Sequence, residues 1–172
     1  VGEHDETGIP HATMNDGGPN GYAVVFFDGA DYRIRYKAAR RPADYQMNIY
    51  CPDEVTGPEA PGTEVTVNFF AGSERCRLDM TLDGGATWLP MERFTGTDPE
   101  CARMQAMNPH RLDGVWGWDV DEPSRTGHLW RARLPQGLEP GTHLLTVRAT
   151  DLFGQTHTGH RVIRILETPR PR

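Results

Sequence analysis

The first apolar pattern in the chain is a pair of short runs, YAVVFF (22–27) and YRIRYK (32–37), around Asp28-Gly29-Ala30-Asp31. Two runs rich in β-branched and aromatic residues, joined across Asp-Gly, predict a β-hairpin. In the second run Tyr32, Ile34 and Tyr36 alternate with Arg33, Arg35 and Lys37, so that strand has a solvated or partner-facing side. Further strands are predicted at EVTVNFF (64–70), CRLDMTL (76–82), TWLPME (87–92), HLWRARL (128–134), HLLTVRAT (143–150) and HRVIRIL (160–166). Turn signals separate them, as at Asp83-Gly84-Gly85 and Pro140-Gly141. Short strands at such spacing predict an antiparallel, immunoglobulin- or fibronectin-like β-sandwich. The single plausible helix is PECARMQAM (99–107), with Asp98-Pro99 as cap and first turn.

Residues 1–21 are polar, Gly-rich and aperiodic, and read as an extended segment. Residues 51–64 carry three prolines and two glycines and read as a linker. The expected organisation is therefore an extended segment over 1–21, a hairpin extension over 22–57 packing on the sandwich, and the sandwich itself over 58–168. The long loop from Asn108 to Thr126 holds Trp116 and Trp118, and loops of that length usually bind something or cover an edge. TLDGGATW (81–88) fits an Asp-box hairpin turn, with Asp83 tying the turn and Trp88 expected in the core.

Composition narrows the function. Apolar residues make up 37% of the 172, enough for a core. A net charge of −6 argues against a general nucleic-acid binder, which needs a basic face to displace counterions. Lys37 is the one lysine beside 17 arginines, a bias that reads as genomic and not functional. No apolar run approaches the roughly 20 residues of a membrane span. The opening VGEHDETG has neither a starting Met nor an apolar leader, which suggests a piece of a longer chain.

Chemistry is sparse. Cys51, Cys76 and Cys101 lack zinc-ligand spacing, so buried or free thiols are expected, with one disulfide possible in an oxidising compartment. The seven histidines fall in loops or at strand starts, and no Asp-x-His or Gly-Asn-His-Glu run supplies a two-metal centre. Ser73 and Ser124 lie outside any nucleophile elbow, and the glycines near Asn15-Asp16 lack the Gly-Lys-Ser/Thr end of a phosphate loop. The chain by itself assembles no nucleophile, base and oxyanion site.

Three phrases carry a resemblance: GIPHATMNDGGPNGY, then FDGADYRIRYKAARRPADYQMNIYCPDE, then HLWRARLPQGLEPGTHLLTVRATDLFGQT. Together they resemble the C-terminal domain of bacterial calcineurin-like metallophosphoesterases, from about Asp5 to Ile165. The resemblance implies a preceding catalytic domain that holds two divalent ions, and no cofactor or catalytic residue in this chain. It also implies that the Gly-rich phrase follows that domain directly, which places His11, Asn15, Asp16 and Asn20 near the rim of its metal site. The plainer alternative is that the glycines permit positive φ and Asn and Asp tie turns. Arg40 and Arg41 are candidates for phosphate or carboxylate contact, and Trp116 and Trp118 for stacking on a sugar or base. The expected partners are the parent's own catalytic domain and a phosphorylated small molecule or glycan. The expected compartment, by resemblance, is periplasmic or secreted. Two rival readings are a sugar- or protein-binding sandwich and a dimerisation domain.

Overall fold

The structure, a computed structural model, describes residues 14–111 and 123–167. The elements in chain order are β1 (Gly21–Asp28), β2 (Asp31–Ala38), β3 (Met47–Tyr50), β4 (Glu54–Thr56), β5 (Glu64–Phe69), β6 (Arg77–Thr81), β7 (Leu89–Pro90), β8 (Glu92–Thr97), α1 (Pro99–Arg111), β9 (Arg125–Arg133), β10 (Gly141–Thr150) and β11 (Thr156–Leu166). A short 3-10 turn at Ala60–Gly62 follows β4. The chain divides into two compact units, one of Val1–Tyr45 with Thr95–Gly127, the other of Gln46–Phe94 with His128–Arg172.

The second unit is the sandwich. One sheet runs β4-β11-β10-β6-β7 and the other β3-β5-β9-β8. The pairings β10–β11, β10–β6, β6–β7, β3–β5 and β5–β9 are antiparallel, and that of β4 with β11, Arg164↔Glu54 to Leu166↔Thr56, is parallel. Alternation decides what lies between the sheets. Val65, Val67 and Phe69 enter the core from β5, Leu78 and Met80 from β6, Leu145, Val147 and Ala149 from β10, and Ile163 and Ile165 from β11. Trp130 of β9 is 1% exposed and meets Phe69 edge-on, with ring centroids 6.1 Å apart. This is the all-β sandwich that the sequence predicts.

Three differences from the sequence have a common cause. β3 and β8 lie where no strand is predicted, and β4 lies inside the Pro/Gly-rich stretch, where Cys51, Val55 and Ala60 join the core. Such strands are three to six residues long and exist through partners far away in sequence, which local pattern does not register. The predicted strand at 87–92 shrinks to the two residues of β7, and Met91 amide still bonds the Leu78 carbonyl at 2.9 Å.

In the first unit β1 and β2 pair in full register from Gly21↔Ala38 to Asp28↔Asp31. Gly29 has φ 61 and Arg40 is the only non-glycine with positive φ among the described residues, so the two-residue turn is of type II′, with Gly first. α1 starts where expected. Asp98 Oδ1 accepts the Glu100 and Cys101 amides at 2.9 and 3.1 Å, and Pro99 occupies the first position, where its missing N–H costs nothing. The helix continues to Arg111, four residues beyond the predicted end, and so takes the first part of the stretch read as loop.

Candidate functional site

The base of the β1–β2 hairpin gathers the candidate residues that the structure describes. Before β1 the chain makes a tight turn: Met14 amide bonds the Gly18 carbonyl at 2.8 Å, and Gly17 amide bonds the Met14 carbonyl at 2.9 Å. Asp16 Oδ1 accepts the Gly18 amide at 2.9 Å, which is the turn-tying role. Gly17 has φ 81, and a Cβ there would lie 2.1 Å from Asp98 Cγ. Only glycine meets both conditions. The turn therefore rests against the capped end of α1, where the Cys101 thiol also donates to the Met14 carbonyl at 3.5 Å. Burial first, then the Asp98 and Asp16 carboxylates, push that thiol up to about 11.

After β2 the chain turns again. Asn20 carbonyl accepts the Ala39 amide at 2.8 Å, which brings the Asn20 loop and the Arg40-Arg41 turn to the same end of the hairpin. Lys37 Nζ donates to the Ala38 carbonyl at 2.8 Å and to the Arg41 carbonyl, so its charge ties the turn. The Tyr36 hydroxyl donates to the Pro19 carbonyl, and burial together with Asp16 raises its pKa. Sequence reasoning singled out neither Lys37 nor Tyr36 for this corner; a lone lysine among arginines was the available signal. Arg40, exposed, holds φ 59, a left-handed conformation that costs a non-glycine residue on the order of 1 kcal/mol. Arg41 is half-buried with its guanidinium over the Tyr45 ring, 5.1 Å from the centroid. Asn15 and Asn20 are exposed, and Asn15 carbonyl accepts the Ser124 amide at 2.9 Å. Asn15, Asp16, Asn20, Arg40 and Arg41 thus belong to one corner of the first unit. His11, Trp116 and Trp118 lie outside the described residues.

Elsewhere the conspicuous polar groups hold turns. Asp83 Oδ1 accepts the Thr87 amide at 2.9 Å and the Thr81 hydroxyl at 2.7 Å, and these bonds hold its carboxyl down to about 2. Trp88, expected in the core, is instead half-buried with the Arg148 guanidinium 4.0 Å from its ring centroid. Its neighbour Leu89 sits in a strand only two residues long, too short to force the indole inward, and the cation over its face stabilises it where it is. Asp151 accepts the Phe153 and Gln155 amides at 2.9 and 2.8 Å, so the Thr-Asp-x-Phe-Gly-Gln phrase is the turn between β10 and β11. A cleft of about 360 Å³ lies between the Asp83 turn and the β9–β10 loop. It is lined by Leu82, Leu89 and Leu138 with Glu139 and His143, and among the described residues no arginine or lysine lines it to receive a phosphate. All three cysteines are buried and free. Among the described residues no three His, Cys, Asp or Glu side chains gather as a metal site, so these residues do not fit a two-metal centre.

The fold thus defines a β-sandwich joined to a hairpin-bearing unit, with a polar and cationic corner at the hairpin base. The chain belongs to the family described as C terminal of calcineurin-like phosphoesterase, whose model matches residues 1–157. No curated protein matches it. Among solved structures it is similar to CopC from Methylosinus trichosporium OB3b, with 12% identity, 69% of this chain and 88% of that chain covered, and a TM-score of 0.32. That likeness is too slight to carry an argument.

Proposed function

We propose that this chain is a non-catalytic accessory domain that shapes substrate binding for the phosphoesterase domain of its own polypeptide. Hydrolysis itself, water attack on a phosphoester assisted by two divalent ions, belongs in this reading to that other domain. The observation that carries the proposal is the hairpin-base corner in a chain of this family. Arg40 is exposed in a left-handed backbone conformation beside Arg41, and the Asn20 carbonyl bonds the turn that holds them. A guanidinium fork matches the oxygens of a phosphate or carboxylate. Binding a non-reacting part of the substrate there would position its phosphate for attack. His11, Asn15, Asp16 and Asn20 belong to the same reading as rim residues, and Trp116 and Trp118 as stacking residues. Export of the parent is part of it too, and fractionation of cells carrying the tagged full-length protein tests that compartment.

The experiment is steady-state kinetics on the full-length parent. Arg40→Ala with Arg41→Ala should raise KM about tenfold while leaving kcat near its original value, the signature of lost binding and not lost chemistry. Unchanged KM in this variant, and in Asn15→Ala with Asp16→Ala, would remove the corner from substrate binding. Turnover of an aryl phosphate by the present chain alone with Mn²⁺ would overturn the non-catalytic assignment.

A further inference from the structure

Strand β1 has the composition of a strand with cover on both faces, yet none of its residues is buried. YAVVFF is an unbroken apolar run, the pattern of fully enclosed strands. Every residue of β1 is exposed, Phe27 at 78% and Tyr22 at 57%. Pairing with β2 sets Ala23, Val25 and Phe27 opposite Tyr36, Ile34 and Tyr32, so one face is apolar or aromatic along its length. On the other face Tyr22, Val24 and Phe26 stand opposite Lys37, Arg35 and Arg33. The sheet has two strands, so among the described residues the outer edge of β1 is also open. A two-stranded sheet by itself is marginally stable. An exposed apolar strand with an edge open among the described residues is a surface for association.

We propose that this hairpin is the element that seats the chain on the phosphoesterase domain of its own polypeptide. β1 lies there against an apolar surface whose margin carries carboxylates facing Arg33 and Arg35. The inference rests on the accessory reading above for the existence of that neighbour. Size favours a covalently joined partner over a second copy. The exposed large side chains of the hairpin amount to about 600 Å² if a full aromatic side chain contributes ~150–250 Å². A stable complex between free proteins needs about 800 Å² from each side. A domain on the same chain needs less, because its effective concentration is of millimolar order. A bilayer is disfavoured because Asp28 and Asp31 sit at the tip and would enter it first.

The test is photo-crosslinking in the full-length parent, with p-benzoylphenylalanine in place of Phe27. The expected product is an intramolecular crosslink to a peptide of the phosphoesterase domain. Its yield should fall about tenfold when Val25→Asp is added, since a buried carboxylate opposes docking. Arg33→Glu with Arg35→Glu, which leaves the apolar run intact, should lower it as well, and circular dichroism of each variant checks that the fold persists. A crosslink between differently labelled copies, or no crosslinked peptide at all, would overturn the proposal. The kinetic test fails separately: an intramolecular crosslink with unchanged KM in the Arg40/Arg41 variant keeps the docking and removes the substrate-binding role.

Discussion

At the scale of single residues, backbone conformation says more about Arg40 than its charge does. Its φ of 59 is the one left-handed non-glycine position among the described residues, and it sits in an exposed turn where glycine would be comfortable. A sequence that keeps arginine there accepts a cost for the side chain. Arg40→Gly should therefore raise stability in chemical denaturation by about 1 kcal/mol, while Arg40→Ala should not, because alanine retains the Cβ that clashes. Equal effects of the two replacements would show that the turn carries no strain. Asp16, Asp83 and Asp151 show the opposite case. Asp16 reads in the sequence as a candidate site residue and Asp83 as a turn tie, and each of the three has a carboxylate oxygen that accepts an amide of a neighbouring turn.

At the scale of elements, α1 depends on its first turn. Asp98 is 0% exposed and satisfies two of the backbone amides that a helix start leaves without partners. Gly17 packs directly against its side chain, so the cap also supports the Met14–Gly18 turn. Asp98→Ala should cost about 1–2 kcal/mol, and Asp98→Asn distinctly less, because the amide oxygen still accepts. Denaturant titration of both variants measures the difference, and equal losses would mean that charge and not capping is what matters. The hairpin illustrates a different dependence. Its strands and II′ turn are local, yet its stability calls for cover from outside the pair, as the docking proposal requires.

For the whole molecule, one part of the alkaline pH dependence follows from a buried thiol. Cys101 is 5% exposed, and its ionisation is raised from 9.0 to about 11 by burial and then by Asp98 and Asp16. The folded state thus keeps a proton that the unfolded chain releases first. The associated stability is complete below about pH 9 and is lost as pH rises toward 11. Denaturation midpoints at pH 8 and pH 10 should fall at the higher pH, and Cys101→Ala should flatten that part of the decline. A slope unaffected by the substitution would assign the alkaline loss to other groups.

The sequence by itself determined the hairpin, the major sandwich strands, the helix start and the family phrases, because each depends on neighbours a few residues apart. Alternation placed Val65, Val67 and Phe69 on one face of β5 without knowledge of the opposing sheet. Only the tertiary structure decided the rest. β4 exists because β11 lies beside it in parallel, more than a hundred positions away in the chain, and composition alone reads its segment as a linker. Trp88 stays at the surface because Arg148 comes to it. The candidate corner likewise joins 14–20 to 38–41 through strand register, which sets Gly21 opposite Ala38 and so brings Asn20 to Ala39. Local pattern encodes which backbone each segment prefers, whereas partners distant in sequence are chosen by packing and pairing in three dimensions.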